Sequence, residues 1–174
     1  MLHPSENDYA PYYSVYIKNV TGDVLVQLEN QLNETNKLLN SISEEKALYA
    51  YAEGKWSIKE VAGHLIDAER IFSYRALAIS RGEKQSLPGW DEKIYTGKGD
   101  FNKRKLSDIT EELRLLREAN LLQFINFSEE MLKQRGVANN SEVTVFALLF
   151  IIAGHEAHHL KILRERYLKV QVQE

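Results

Sequence analysis

The amino-acid sequence predicts an all-α protein built as an antiparallel four-helix bundle. Four long segments carry apolar residues three or four positions apart, which is the period of an amphipathic helix. Turn-forming residues and one long loop separate these segments. No fixed-period repeat or interdomain linker interrupts the chain of 174 residues, so we expect residues 1–174 to form a single domain.

The first two helices are predicted over about 22–40 and from 57 to about 81. Leucines recur at helical spacing in the first of them. The second has a complete start signal, because Ser57 is a favourable N-cap and Glu60 three positions later completes a capping box. Gly82 is a typical residue just beyond the end of a helix.

The third helix is predicted over about 106–127, after a long loop over 82–105. Residues 128–140 should hold a further helical turn or two and then a turn containing Gly136 and Asn139-Asn140. The fourth helix should begin between Ser141 and Thr144 and run to about 168. Its first half is apolar on all sides, as expected of a buried helix. A strand over 143–152 is the alternative, but helical spacing continues without a break through the charged residues that follow.

Composition and charge exclude several functional classes. The formal charge is −3, so no basic surface indicates nucleic acid or an anionic membrane as a partner. The chain has no cysteine, which removes disulfides, thiolate metal sites and a protein thiol nucleophile. The N-terminus lacks the pattern of a signal peptide, and the apolar stretch 143–154 is too short to span a bilayer. We therefore expect a cytoplasmic protein.

Four tyrosines surround Pro11 near the N-terminus. We expect this segment to wrap over the bundle in irregular form, with the rings covering apolar surface. The alternative is a functional aromatic box. The tyrosines are Tyr9, Tyr12, Tyr13 and Tyr16.

Two of the five histidines are spaced to bind one metal ion from a single helix. His155 and His159 are four residues apart and therefore lie on nearly the same helical face, which apolar neighbours direct into the core. Burying two imidazoles without partners costs about 1–3 kcal/mol each, and a metal ion relieves that cost by binding one nitrogen of each ring. Without the metal, such a pair is usually a surface pair or a hydrogen-bonded one.

His64 is the best candidate for a third ligand, since it lies on the flank of the apolar face of the second helix. Three histidines leave coordination positions open, as in catalytic sites. Nitrogen ligands favour zinc or nickel, with iron, manganese and copper as alternatives. His158 lies about 100° around the helix from His159 and should flank the site or meet solvent. His3 should be an exposed terminal residue.

The letters HEAHH also match the H-E-x-x-H motif of zinc proteases. The pattern fails at the third ligand, because Leu160-Lys161-Ile162-Leu163 follows where one protease class needs a glycine and a further histidine. Glu165 points roughly 120° away from His159 on the same helix, so it is a poor third ligand. A metalloprotease is therefore not expected.

A helix with the pattern Trp56-Ser57-x-x-Glu60-x-x-x-His64, followed late in the chain by His155-x-x-x-His159, resembles the DinB-like metal-dependent proteins, which include the YfiT-like hydrolases. The resemblance rests on this combination of two helices, and it extends over nearly the whole chain. The matching segments are GKWSIKEVAGHLIDAE at 54–69, LPGWDEKIY at 87–95 and LLFIIAGHEAHHLKILRERY at 148–167. Many relatives have Gly-Gln after the last ligand, whereas this chain has Leu160-Lys161-Ile162.

The resemblance implies a four-helix bundle, often a homodimer, with a divalent metal ion bound by His64, His155 and His159. It also implies a hydrolase, or a transferase of low-molecular-weight thiols, acting on a small molecule. Such a site lowers the pKa of a bound water to about 7 or deprotonates a bound thiol.

An acid or base is needed beside such a metal ion. Asp91 and Glu92 in the long loop are catalytic candidates for this role. The alternative is that Asp91 caps a short helix and Glu92 is solvated. Glu156 and Asp67 are candidates for orienting the ligands. The alternative function is a non-catalytic bundle whose metal stabilises an interaction or stress-response module.

Overall fold

The computed structural model describes residues 3–169. Within that range the secondary structure is almost entirely helical, with one short hairpin. The helices are α1 (Ser14–Ile17), α2 (Val24–Asn40), α3 (Glu44–Ala47), α4 (Ile58–Ser80), α5 (Glu92–Lys98), α6 (Leu106–Phe124), α7 (Glu129–Lys133) and α8 (Val145–Ile162). A π-helical turn, Leu163–Leu168, continues α8, and the hairpin strands are β1 (Arg135–Ala138) and β2 (Ser141–Thr144).

The four long helices α2, α4, α6 and α8 form a bundle, which confirms the predicted all-α four-helix class. Each packs on two others: α4 on α8 and α6, and α2 on α6 and α8. The diagonally opposite pairs are therefore α2/α4 and α6/α8. The pairs α2/α6 and α4/α8 are antiparallel, whereas α2/α8 and α4/α6 are parallel. Two hydrogen bonds establish the direction of each pair. They are Leu28–Arg117 and Glu44–Leu106 for α2/α6, Trp56–Tyr167 and His64–His155 for α4/α8, Gln31–Ala153 and Thr35–Glu156 for α2/α8, and Ser57–Asn102 and Glu69–Arg117 for α4/α6.

The predicted helix starts follow the capping residues in the sequence. The capping box of α4 is complete: the Ser57 hydroxyl accepts a hydrogen bond from the Glu60 backbone at 3.1 Å, and the Glu60 carboxylate accepts one from the Ser57 backbone at 2.7 Å. Asp23 caps α2 and Thr144 caps α8. Gly82 follows α4 with φ of +86°, a conformation that favours glycine. The third long helix ends at Phe124, earlier than the predicted 127.

A β-hairpin occupies the region where the sequence predicted a turn and the start of the last helix. Strands β1 and β2 pair antiparallel, with Arg135 opposite Thr144. The two residues between them, Asn139 and Asn140, both have positive φ, at 50° and 60°, as a tight hairpin turn requires. The predicted turn is therefore present, but the flanking residues pair as strands, and α8 begins only at Val145.

Helix α8 is the central core helix, since its residues from Val145 to Glu156 are all buried. Together with the π-helical turn it is long and apolar enough to cross a membrane, at 24 residues with a mean hydropathy of 1.3. The prediction that the apolar stretch is too short considered only residues 143–154. In the fold, 78% of the most apolar window is buried within the protein, as expected of a core helix.

The N-terminal segment lies against α8, and a close backbone contact holds it there. A side chain on Gly154 would place its Cβ only 2.1 Å from the Tyr16 carbonyl oxygen, so this position requires glycine. Tyr9 and Tyr13 pack against the apolar core, as predicted for rings covering apolar surface. Tyr12 is 50% exposed, and Tyr16 instead contacts histidines.

Candidate metal centre

Three histidines from two helices converge at one end of the bundle. Nε2 of His155 lies 3.0 Å from Nε2 of His64 and 3.2 Å from Nε2 of His159. One ligand nitrogen of each ring lies within 4.8 Å of the other two. His64 and His155 are buried, whereas His159 is partly exposed. The structure therefore brings together the three residues that the sequence predicted as ligands.

The three rings cannot satisfy one another by hydrogen bonding. A ring nitrogen carries either one proton or one lone pair, so Nε2 of His155 can pair well with only one of its two neighbours. Burial lowers the pKa of His64 to about 4. It also lowers the pKa of His159 to about 3, with the neighbouring histidines adding to the effect, and it lowers that of His155 well below its usual value. The rings are therefore neutral at pH 7, the form that binds metal ions.

The nitrogen spacing fits a single divalent metal ion. Ligand nitrogens 2.0–2.1 Å from a metal, at angles of 90° to 109°, are about 2.8–3.4 Å apart. The two short separations, 3.0 and 3.2 Å, fall inside that range. Three nitrogen ligands suit zinc, nickel, iron, manganese or copper, and the donor set does not select among them.

Aromatic rings orient the histidines on several sides. Trp56 and Trp90 pack on the His64 ring, with centroids at 4.7 and 5.6 Å, and Trp90 is nearly parallel to it. Tyr16 meets the His155 ring edge-on at 5.2 Å. His64 Nδ1 is buried and has no hydrogen-bond partner among residues 3–169, whereas the second ring nitrogen of a metal-bound histidine usually donates to a carboxylate, a carbonyl or water. Packing between tryptophans therefore holds this ring in place.

The sequence analysis did not assign these aromatic residues to the site. Trp56 comes just before the cap of α4, and Trp90 lies in the long loop, where nothing local predicts contact with a histidine. The tyrosine cluster near the N-terminus was the one feature of the sequence that could have indicated aromatic residues at the site. Tyr16 contacts both His155 and His158, so one tyrosine of that cluster lies beside the histidines, and a functional role for it stays a prediction.

A pocket of about 440 Å³ opens beside His159. Its walls come from the connector before α4, the start of α5 and the last turns of α8. Aromatic and apolar side chains form most of its lining, together with two lysines and one glutamate. The residues are Tyr51, Gly54, Lys55, Trp56, Val61, Glu92, Lys93, His159, Ile162 and Tyr167.

The two acidic candidates of the long loop have different positions. Asp91 caps α5, since one of its oxygens accepts hydrogen bonds from the backbones of Lys93 and Ile94 at 2.9 and 3.0 Å. Asp91 therefore has the helix-capping position that the sequence offered as the alternative to a catalytic one. Glu92 is exposed but lines the pocket beside His159. Together with burial, its charge raises the pKa of the Tyr16 hydroxyl, and the Tyr16 ring packs against His155.

The two residues suggested as orienting groups form no hydrogen bond to the histidines within the described range. Glu156 is buried and bonded to Thr35 and Arg117. Burial raises the pKa of Asp67, and the charges that act on it lie on the α4/α6 side, at Arg70, Glu112 and Arg104.

The two remaining histidines lie as the sequence predicted. His158 flanks the site, with its ring against those of Tyr16 and His159. His3 is exposed.

Comparison with known proteins places the chain among metal-dependent relatives. A curated protein of Oceanobacillus iheyensis, named provisionally as a metal-dependent hydrolase, is 27% identical over 137 residues, which is 78% of this chain and 79% of that protein.

Two solved structures from Bacillus subtilis share the fold. YfiT, described as a probable metal-dependent hydrolase with an unusual four-helix bundle topology, matches 95% of this chain and 91% of its own, with a TM-score of 0.73 and 17% identity. A DinB-like protein matches 87% of this chain and 93% of its own, with a TM-score of 0.61 and 22% identity.

The model of the DinB superfamily matches residues 27–163, a range that includes all three converging histidines. This match covers more than half of the chain and gives the family assignment, and the two solved structures agree with it in fold. The chain belongs to the DinB superfamily.

Proposed function

We propose that this protein is a metal-dependent enzyme, a hydrolase or a low-molecular-weight thiol S-transferase, acting on a small molecule. The observation that carries the proposal is the convergence of three neutral imidazoles beside a 440 Å³ pocket. His64, His155 and His159 would hold the ion. A divalent cation in such a site acts as a Lewis acid toward a water or a thiol. Zinc and nickel are the metals we expect first.

The residues around the pocket have separate roles in this proposal. Glu92 is positioned to accept the proton that the nucleophile loses and to return it to the leaving group. In hydrolysis the water oxygen bonds to the electrophilic carbon, and in thiol transfer a sulfur takes that place. Trp56 and Tyr167 form an apolar wall that excludes water from the substrate.

The lining favours a substrate with an apolar body and an acidic group. Lys55 and Lys93 come from different segments and both line the pocket, and neither forms an ion pair within residues 3–169. Their ammonium groups would bind a carboxylate or phosphate. We expect Lys93→Ala to raise KM for an acidic ester and to leave KM for the matching neutral ester unchanged. Lys98→Ala, on the same helix but outside the pocket, is the control.

The test of the function compares two neighbouring histidines. Purified protein is stripped with a chelator, reloaded with zinc or nickel, and assayed for metal content, ester hydrolysis and thiol transfer. We expect His159→Ala to lose metal and turnover while staying folded, because His159 is partly exposed. His158→Ala should keep both. Equal metal binding by His159→Ala and the parent protein would contradict the proposal.

A second function is a non-catalytic bundle stabilised by its metal, acting as an interaction or stress-response module. It predicts that His159→Ala unfolds and that the parent has no turnover with either substrate class. The cytoplasmic location, the homodimer and the absence of nucleic-acid or membrane partners stay predictions from sequence and family resemblance.

A further inference from the structure

A cluster of buried charges lies behind the metal centre. Arg117 on α6 donates two hydrogen bonds to Glu69 on α4, both at 2.8 Å, and one to Glu156 on α8 at 2.7 Å. These three side chains are only 3–5% exposed. Thr35 on α2 donates to Glu156 at 2.5 Å, so the Glu69–Arg117–Glu156 cluster links all four long helices.

The cluster carries an uncompensated negative charge. Two carboxylates face one guanidinium, and the remaining hydrogen-bond partners are neutral: Thr35, Asn120 and the Leu28 carbonyl. No other charged side chain bonds to it within residues 3–169. An unpaired buried charge is unfavourable unless an opposite charge lies nearby. If the cluster contributed to stability alone, apolar side chains at these positions would stabilise the bundle equally well.

The cluster and the metal centre share a cavity. A space of about 10 Å³ is lined by Glu69, Arg117 and Glu156 together with His155, and apolar side chains complete its lining. A cavity of this size holds about one water molecule. Glu156 also adjoins His155 in the chain. The negative charge therefore lies beside a ligand ring, at a small space whose lining residues are all buried.

We propose that Glu69 and Glu156 are positioning residues of the metal centre, and that their surplus charge strengthens the binding of a divalent cation by the three histidines. The proposal rests on the metal site of the proposed function. Three neutral imidazoles leave both charges of the cation uncompensated, and attraction between opposite charges is stronger in the protein interior than in water. Arg117 donates hydrogen bonds to both carboxylates, so they act on the cation from a distance and do not bind it.

The test is a metal titration of charge-neutral variants. Glu69→Gln and Glu156→Gln each remove one negative charge and keep the shape of the side chain. Chelator-stripped protein is titrated with zinc in competition with a chromophoric chelator. We expect the zinc Kd of each variant to rise about 10-fold or more, as for other groups that support metal ligands. The control is Glu112→Gln on α6, a carboxylate that pairs with Arg70 and Arg104 away from the cavity. Its Kd should stay within about twofold of the parent value.

Two further measurements separate charge from structure. Thr35→Val removes a hydrogen bond to Glu156 without changing charge, and we expect its zinc Kd to stay within a few-fold of the parent value. Thermal unfolding of the metal-free proteins reports stability independently. A merely structural cluster would lower Tm in the glutamine variants and leave Kd unchanged, which would overturn the proposal. If a variant does not fold, trimethylamine N-oxide is added, because it favours the folded state. The variant and the parent protein are then titrated with zinc in the same solution.

The parent protein serves as the reference for both proposals. If it binds no zinc or nickel, the proposed function fails and this inference fails with it. If the parent binds metal tightly and the glutamine variants bind equally tightly, the inference alone is wrong.

Discussion

The metal-free protein should lose stability as the pH falls through the range where free histidine titrates, and His64 is the best residue on which to test this. Its ring is 1% exposed and packed between two tryptophans. Burial lowers its pKa from 6.5 to about 4. Between those two values the unfolded chain binds a proton at this position and the folded protein does not. Stability from this residue is therefore complete above pH 6.5 and is lost as the pH falls toward 4.

The size of the effect follows from the two pKa values of His64. At about 1.4 kcal/mol for each pH unit between 6.5 and about 4, the free energy of unfolding should fall by ~3 kcal/mol. His155 and His159 have lowered pKa values for the same reason and act in the same direction. A total loss larger than the His64 contribution is expected for the parent protein.

Urea unfolding of chelator-treated protein between pH 7.5 and 4.5, followed by circular dichroism, measures this loss. In His64→Gln the pH-dependent loss should be smaller than in the parent by ~3 kcal/mol, whatever its stability at pH 7.5. His3→Gln, at an exposed histidine, should follow the parent curve. Identical pH dependence of His64→Gln and the parent would refute the reasoning, because it would mean that burial does not hold this imidazole neutral.

Three further substitutions test other parts of the site. Gly154→Ala should lower the free energy of unfolding by roughly 1–3 kcal/mol, because its new methyl group would overlap the Tyr16 carbonyl. Gly97→Ala is the control and should change the free energy of unfolding little, since no atom lies near its Cβ. Urea unfolding measures both. Tyr167→Phe should cost about 1 kcal/mol in the same assay, because a hydroxyl that donates to a backbone carbonyl at 2.7 Å is lost. Glu92→Gln should lower kcat/KM at least about 100-fold without changing metal content, and an unchanged rate would exclude this residue as the acid–base group.

Local signals in the sequence predicted the long helices and indicated histidines that the structure brings together. The capping box at Ser57 and Glu60 and the four-residue spacing of His155 and His159 depend on neighbouring residues, so they can be recognised without a fold. His64 is a different case, since 91 residues separate it from His155. It could be assigned because a histidine on an apolar helical face is unusual and because the family resemblance points to the same residue.

Features that depend on tertiary contacts were missed. Nothing near Arg117 predicts that it is buried between two carboxylates from other helices, because an isolated arginine on an amphipathic helix is usually solvated. The hairpin was missed because its strands have four residues each and the last helix starts immediately afterwards. The parallel pairing of α2 with α8 was also not predicted. It follows from the long connections, which let α4 lie diagonally opposite α2, and α8 diagonally opposite α6.

This arrangement separates the parts of the site that must be rigid from those that are free to vary. The three histidines project from α4 and α8, two long helices packed together in the core. The other pocket walls come from the connector before α4 and from the start of α5, where a side chain can change without disturbing the bundle. A substitution in these walls should therefore alter the pocket and leave the three histidines in place. On the far side of His155 the buried cluster links all four long helices, so a change there should affect metal affinity and stability before it affects substrate choice.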